Sequence, residues 1–363
     1  MSTLNILTEN LISHNKSLHC IGAGACGSVW STDYDNDDTN YGHGDNAIAF
    51  KREDGAKGRS LLNDYQVHQS ISRSLPHCPN EIRAAFRILL CYGFAQTEDY
   101  PPLFLQSFPP DQQQPCNILV SQRIPPLGKT TRDLLCDKYC PPRFLDQIKA
   151  DPRSVDCMIR PYLGRRRDQG NISSSRRSMF QSFSVRNHII SADQMDDLGI
   201  DFGRKVEYAT AMAKVLAFMH WCVRIDADDI EFVLAPPPPA SSSPHTIDST
   251  TSCFESDSLG RHTLWILDFD RCKPMPMNDE GIALARRAFY RNDLYYPRPG
   301  RDHPEDQRLW TVFKCGFLDA SAAIIESGVG SDVIIPEHLP ASLMESIESG
   351  MVEPISSPSP TGL

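Results

Sequence analysis

Short runs rich in β-branched and aromatic residues, separated by Gly, Asp, Asn or Pro, dominate the first third of the chain. They are SLHCIGAG, GSVWST, NAIAFKRE, FRILLCYGFA and NILVSQRI, and this composition and punctuation predicts strands. Between the third and fourth lies SLLNDYQVHQSI (Ser60–Ile71), where Asp64, Val67 and Ile71 recur at helical spacing and predict one helix with an inward-leaning face. The order is thus strand, strand, strand, helix, strand, strand. After Ile124 the patterns become longer and helical. The clearest is Asp201–His220, with Tyr208, Met212, Val215, Leu216 and Met219 on one stripe.

Two segments break the pattern. Tyr34–Asp45 reads as an acidic, Gly-bearing hairpin extension. Pro236–Leu259, rich in Pro, Ser and Thr, holds too little apolar surface to offset the cost of ordering and is expected to be disordered. SSPSPTGL closes the chain as a polar tail. No internal repeat is present, and the alternation of a strand-rich part with a helical part predicts an α+β fold.

Composition narrows the picture. With 363 residues, 40% apolar and 23% charged, the chain can bury one large core or two smaller ones. A formal charge of −10 argues against a generally basic nucleic-acid-binding surface, and no apolar run reaches bilayer-spanning length. No nucleic acid or membrane is therefore expected as a partner. The start, MSTLNILTENLISHNK, lacks both the basic opening and the apolar core of a signal peptide, which predicts a cytoplasmic or nuclear protein that is not secreted. The basic run Arg165–Arg167 with Arg176 and Arg177 reads as a solvated loop, though it could also receive an anion.

The 12 cysteines are scattered, and without a secretory signal reduced thiols are expected. A zinc finger needs two close ligand pairs. Here the one close pair is Cys136-x-x-x-Cys140, and no second pair completes it, so no zinc is expected and a zinc-binding protein is the third-ranked reading.

The chemistry-bearing residues fall in a definite order. In IGAGACGSVW, Gly22, Gly24 and Gly27 form G-x-G-x-x-G; glycine allows a tight turn and close approach to phosphate oxygens. A dinucleotide fold would run from the third glycine into a helix, whereas SVWST continues as a strand, which favours a hairpin lid over a nucleotide. A plain glycine turn is the structural alternative. The next strand ends Ile48-Ala49-Phe50-Lys51, and the helix behind it offers Asp64 as a partner for the Lys51 amine. Asp is one methylene shorter than Glu, so the pair requires a closer helix or is weaker. Farther on, IDADDIEFVL places Asp226 five residues before Glu231. Across the Pro/Ser-rich loop, LWILDFD supplies Asp268. Without that excursion the flanking strands form a hairpin presenting Glu231 and Asp268 at one edge, a reasonable oxygen pair for a hard cation such as Mg2+. Each residue alone is more often a cap or a solvated charge; their chain order makes the set informative.

That order resembles the protein-kinase-like superfamily, including its aminoglycoside and choline phosphotransferase branch, over about Ser17 to Asp270. The stretches RIPPL, RPYLGRRR, MHW, IDADDIEFVLAPP, LWILDFDRC and FYRNDLYYPRP look more narrowly like an uncharacterised fungal family often labelled "zinc finger protein". The resemblance implies a bilobal fold: an amino-terminal segment (1–16), a small antiparallel-sheet lobe with one main helix (17–124), a larger, mainly helical lobe (125–345) interrupted by the loop 236–259, and a polar tail (346–363). It implies ATP and Mg2+ as cofactors, with Gly22, Gly24, Gly27, Lys51 and Asp64 binding the nucleotide. Asp226 would orient an acceptor and Glu231 and Asp268 would hold metal. The sequence departs from the pattern where Arg224-Ile225 precede Asp226, Asp228 and Asp229 follow it, Glu231 replaces Asn, and Asp270 replaces glycine. Five carboxylates (Asp226, Asp228, Asp229, Glu231 and Asp268) would repel one another unless metal, cations or protons intervene. Two readings follow: a phosphotransferase acting on an unidentified acceptor, or a catalytically inactive kinase-like module that binds and regulates a protein partner.

Overall fold

The computed structural model describes residues 16–32, 47–167, 183–238, 252–328 and 334–350. The hairpin extension read at 34–45, Arg176 and Arg177, and all but the last residue of the segment 1–16 lie outside the described residues.

The fold is α+β, with a sheet-rich amino-terminal part and a helical carboxy-terminal part, compatible with two lobes. Strands β1 (Leu18–Ala23), β2 (Ser28–Thr32) and β3 (Ile48–Arg52) form where the apolar-rich runs predict them. Helix α1 (Leu61–Ser74) follows, capped by Ser60 Oγ, which accepts from Asn63 N at 3.1 Å, and by Glu53, which accepts from Leu61 N at 2.7 Å. Such caps satisfy amides that have no partner inside the helix. A short helix α2 (Asn80–Arg83), strands β4 (Arg87–Ile88) and β5 (Cys91–Ala95), and strand β6 (Ile118–Gln122) complete this part. The first sheet is antiparallel with order β1-β2-β3-β6-β5. Trp30, Phe50, Phe104 and Phe108 pack on one side of it, and α1 packs on the other through Leu61 and Tyr65 against Leu119 and Phe94.

The carboxy-terminal part contains α3 (Lys129–Tyr139), α4 (Leu145–Ala150), β7 (Ile159–Tyr162), β8 (His188–Ser191), α5 (Ala192–Asp197) and α6 (Phe202–Ala217). After these come β9 (Glu231–Ala235), β10 (Phe254–Ser256), β11 (Gly260–Leu267), α7 (Asp279–Arg291), α8 (Pro304–Glu326) and α9 (Leu339–Ser349). Helices α6 and α8 approach closely where Gly316 faces Ala213 and Thr210: a methyl added at Gly316 would lie 3.5 Å from the Ala213 methyl. Beyond Ala217 the helix widens into a turn of π geometry over Phe218–Val223, whose first five residues are buried. Wide turns of this kind recur at functional sites. Among the described residues, no helix is long and apolar enough to cross a membrane.

Four expectations need correction. FRILLCYGFA is not one strand: Arg87–Ile88 pairs parallel with Trp265–Ile266 of β11, while Cys91–Ala95 joins the first sheet. The chain changes sheets at Leu89-Leu90, and the Arg87 guanidinium lies over the Trp265 ring at 6.0 Å. The carboxy-terminal part, expected to be mainly helical, also carries a six-stranded sheet, order β10-β11-β9-β7-β8 with β4 beside β11. The segment 236–259 is not wholly disordered, because Phe254–Ser256 pairs with β11. Phe254 is buried edge-on to Tyr208 at 5.0 Å, so two apolar anchors, Phe254 and Leu259, hold what composition alone would release; 239–251 lie outside the described residues. The tail, too, starts later than 346. Helix α9 continues to Ser349 because Ile347 is buried and Glu348 accepts from Trp310 and Lys314.

Candidate functional site

The turn from β1 to β2 is closed by a Gly24 N–H to Gly27 O bond of 2.8 Å. Its far end is tied to the next strand, where Ser28 N and Oγ donate to the two Asp54 oxygens at 2.7 and 2.6 Å. Gly27 has φ +155, and a Cβ there would fall 1.9 Å from Arg52 O, so the backbones touch as only glycine permits. Gly24 differs: a Cβ there would meet nothing within 4 Å. The fold does not require glycine at 24, which leaves that side of the turn open toward the space below.

That space is a cleft of about 1010 Å3, including the part open to solvent, lined by Gly22, Gly24, Gly27, Lys51, Asp64, Glu231 and Asp268 among others. These are seven of the eight site residues read from sequence; Asp226 is not in its lining. The inner wall is apolar, with Ala49, Leu89, Leu119, Met158 and Leu267, the mix expected of a small-molecule site.

Lys51, opposite Val29 and Leu119 in the ladder, donates to Asp64 Oδ2 at 2.6 Å and Asp268 Oδ1 at 2.7 Å. The shorter Asp side chain does reach the amine, because α1 lies close to the sheet. Burial opposes the charge on Lys51, but Asp64 and Asp268 outweigh it and hold the amine well above its ordinary pKa. Asp64, Val67 and Ile71 are all buried on the inner face of α1. Asp64 Oδ1 also accepts from Phe269 N at 3.3 Å, the Phe269 ring meets His68 edge-on at 5.5 Å, and the Asn63 amide donates to Asp270 O and Cys272 O at 2.9 and 3.0 Å. One helix thereby sets the path of residues 268–272.

The β9–β11 hairpin places Glu231 opposite Leu267, next to Asp268. The loop before β9, and Asp268 just after β11, are unusual in backbone conformation. Arg224, Ala227, Asp229 and Asp268 have φ of 64, 56, 65 and 67, a region costly for non-glycine residues and concentrated at functional sites. Several bonds hold the loop there. Asp226 Oδ1 accepts from Lys273 N at 2.8 Å and Asp228 N at 3.2 Å. The Asn292 amide donates to Ala227 O at 2.9 Å and accepts from Asp229 N. His220 Nδ1, facing the Ile225 carbonyl at 2.9 Å, must be the protonated nitrogen.

Side-chain cations face most of the five carboxylates in this cluster. Lys51 takes Asp268. Arg59 takes Asp229 at 2.6 Å and Asp270 at 2.9 Å. Arg291 and Arg271 take Asp228 at 2.9 and 3.5 Å, and Arg160 pairs with Glu231. Asp226 relies on backbone amides. Burial raises the pKa of Asp226 and Asp228. Burial likewise lifts Glu231, with Asp268 adding to it and Arg160 opposing it. The nearby Cys26 thiol is pushed up to about 12 by burial, so it is protonated at neutral pH. Arg59, Arg160, Arg291, His68 and Asn292 carry much of this arrangement, and no local pattern marked them. Their partners are distant in sequence, 170 residues in the case of Arg59 and Asp229. Of the basic run, Arg166 pairs with Glu305 and Asp306 and Arg167 with Asp193 and Asp197, so these two arginines are engaged in ion pairs.

Mg2+ can be held by one or two carboxylates together with phosphate oxygens. Asp268, a quarter exposed, suits that role; Glu231, joined to a guanidinium, does not. Among the described residues no group of three or more His, Cys, Asp or Glu is placed to hold a metal ion.

A family model described as DUF3669, "Zinc finger protein", matches residues 264–328, from within β11 to the end of α8. This corrects the resemblance drawn from the motifs: the match is to that family and not to a protein-kinase-like one, and it covers a minor part of the chain. Its span contains Cys272, His303 and Cys315. Cys272 is buried and Cys315 exposed. No curated protein matches the chain.

Proposed function

We propose that the chain is a nucleotide-binding protein that takes ATP, with Mg2+, in the cleft beneath the β1–β2 turn. The observation that carries this reading is Lys51, a permanently charged amine held between Asp64 and Asp268 under a glycine turn whose Gly24 side is open. A polyphosphate placed there would meet the Lys51 amine and the turn amides, while the base would lie against Ala49, Leu89, Met158 and Leu267. Mg2+ would supply charge neutralisation between phosphate oxygens and Asp268. Asp228, Asp229 and Asp270 are already neutralised by arginines, which favours binding and regulation of a partner over turnover.

A second reading, phosphate transfer to a hydroxyl acceptor, is favoured by Asp226. Both of its backbone bonds fall on Oδ1, leaving Oδ2 as the atom able to accept an acceptor proton.

Thermal unfolding with and without ATP and Mg2+ tests the binding reading. At about 100 times Kd the ligand contributes about 2.7 kcal/mol, an upward shift in Tm that Asp268→Asn should diminish. Absence of any shift in the wild type overturns it. Transfer is tested separately by release of labelled γ-phosphate, which must fall in Asp226→Asn if the second reading holds.

A further inference from the structure

Arg160 stands on β7 and lines the cleft. Its guanidinium pairs with Glu231 and lies 3.7 Å from Asp293, while its buried Nε has no hydrogen-bond partner. Burial opposes its charge and the neighbouring Glu231 carboxylate favours it, and Arg160 stays cationic throughout the neutral range. Glu231 sits opposite Leu267, beside the Asp268 that Lys51 binds at 2.7 Å, which places two cations, Lys51 and Arg160, around the same end of the cleft.

This position is incompatible with a divalent ion on Glu231. The carboxylate's charge is already taken by a guanidinium, and an added ion would meet that guanidinium at close range, where like charges in a half-buried site repel strongly. An anion at the same place would gain from both cations, and arginine's planar fork suits phosphate oxygens.

Resting on the reading that the cleft holds a nucleotide, we infer that Arg160 grips the ligand's phosphates in place of a Glu231-bound metal. ATP binding to the full chain should therefore persist without divalent metal.

Calorimetric titration of ATP, in EDTA and again in Mg2+, tests this. The metal-free Kd is expected within about tenfold of the Mg2+ value. Arg160→Met should weaken metal-free ATP binding at least tenfold, about 1.4 kcal/mol, while changing adenosine binding little. Glu231→Gln, which keeps the shape and frees Arg160, should leave Mg2+–ATP affinity equal or higher, and it answers the question if Arg160→Met fails to fold. Binding that requires Mg2+, or that Glu231→Gln weakens tenfold, overturns the inference and restores Glu231 as a metal ligand. Failure of ATP to bind under either condition overturns the cleft reading, and this inference with it.

Discussion

Lowering the pH from 7.5 to 5 should destabilise the fold through two histidines, His220 and His262. Both are essentially without solvent exposure, and burial favours their neutral form. His220 Nδ1 faces the Ile225 carbonyl. His262 Nδ1 faces the Gly260 carbonyl at 2.7 Å, and its Nε2 meets the Tyr208 hydroxyl at 2.6 Å. Burial lowers each from 6.5 to about 4, with the carbonyl bonds opposing and Arg204 lowering His262 further. Because the folded values lie below the unfolded ones, stability is complete above pH 6.5, declines as pH falls, and levels off near 4. Each residue then costs about 2 kcal/mol at pH 5 and about 3 kcal/mol by pH 4. The pair removes about 4 kcal/mol at pH 5, a large share of a typical 5–15 kcal/mol. Urea unfolding at pH 7.5 and 5.0 measures it, comparing wild type with His220→Asn/His262→Gln. Asn can still donate to Ile225 O, and neither replacement titrates. The wild-type loss between the two pH values should shrink by about 4 kcal/mol in the double variant. An unchanged loss would refute the premise that these imidazoles are neutral and unexposed in the folded state.

Two further outcomes follow from geometry. Gly27→Ala should unfold or strongly destabilise the protein, by about 3 kcal/mol or more, since its methyl would strike Arg52 O. Gly24→Val should leave Tm within about 2 °C of wild type yet weaken ATP binding; equal Tm losses in both would contradict the difference drawn between the two glycines. Arg123→Met, which strands the buried Asp156 partner of Arg123, should cost about 3–5 kcal/mol in urea titrations, and restoring neutrality with Asp156→Asn should recover part of it.

Strands β1, β2, β3 and β6 and helix α1 were legible because each is set by local pattern, and the hairpin joining Glu231 to Asp268 could be read once the intervening loop was set aside. The residues that neutralise the site could not. Arg59 and Arg160 look like ordinary surface cations in their own neighbourhoods, and only chain folding over long separations brings them to Asp229, Asp270 and Glu231. Strand β7 was hidden for a different reason: IRPY is short and holds a proline, which weakens any strand reading. In Pro236–Leu259, average composition masked Phe254, whose single burial site outweighs its polar neighbours.

The change of sheets at Leu89-Leu90 bears on how the cleft can open. Because β4 is hydrogen-bonded to β11, the chain that leaves α1 through α2 enters the second sheet before it returns to the first at β5, while Asp64, near the amino-terminal end of α1, faces the first. The two sheets are therefore joined by two adjacent chain crossings, at 89–90 and just after Gln122, where Arg123 ties Ser31 and Thr32 to Asp156. Any relative rotation of the sheets has to be taken up at these crossings, on an axis running along one side of the cleft. Motion about that axis would part Lys51 from Asp268. The Lys51–Asp268 contact is then a gauge of closure: a pair that a ligand could loosen or tighten without disturbing either core.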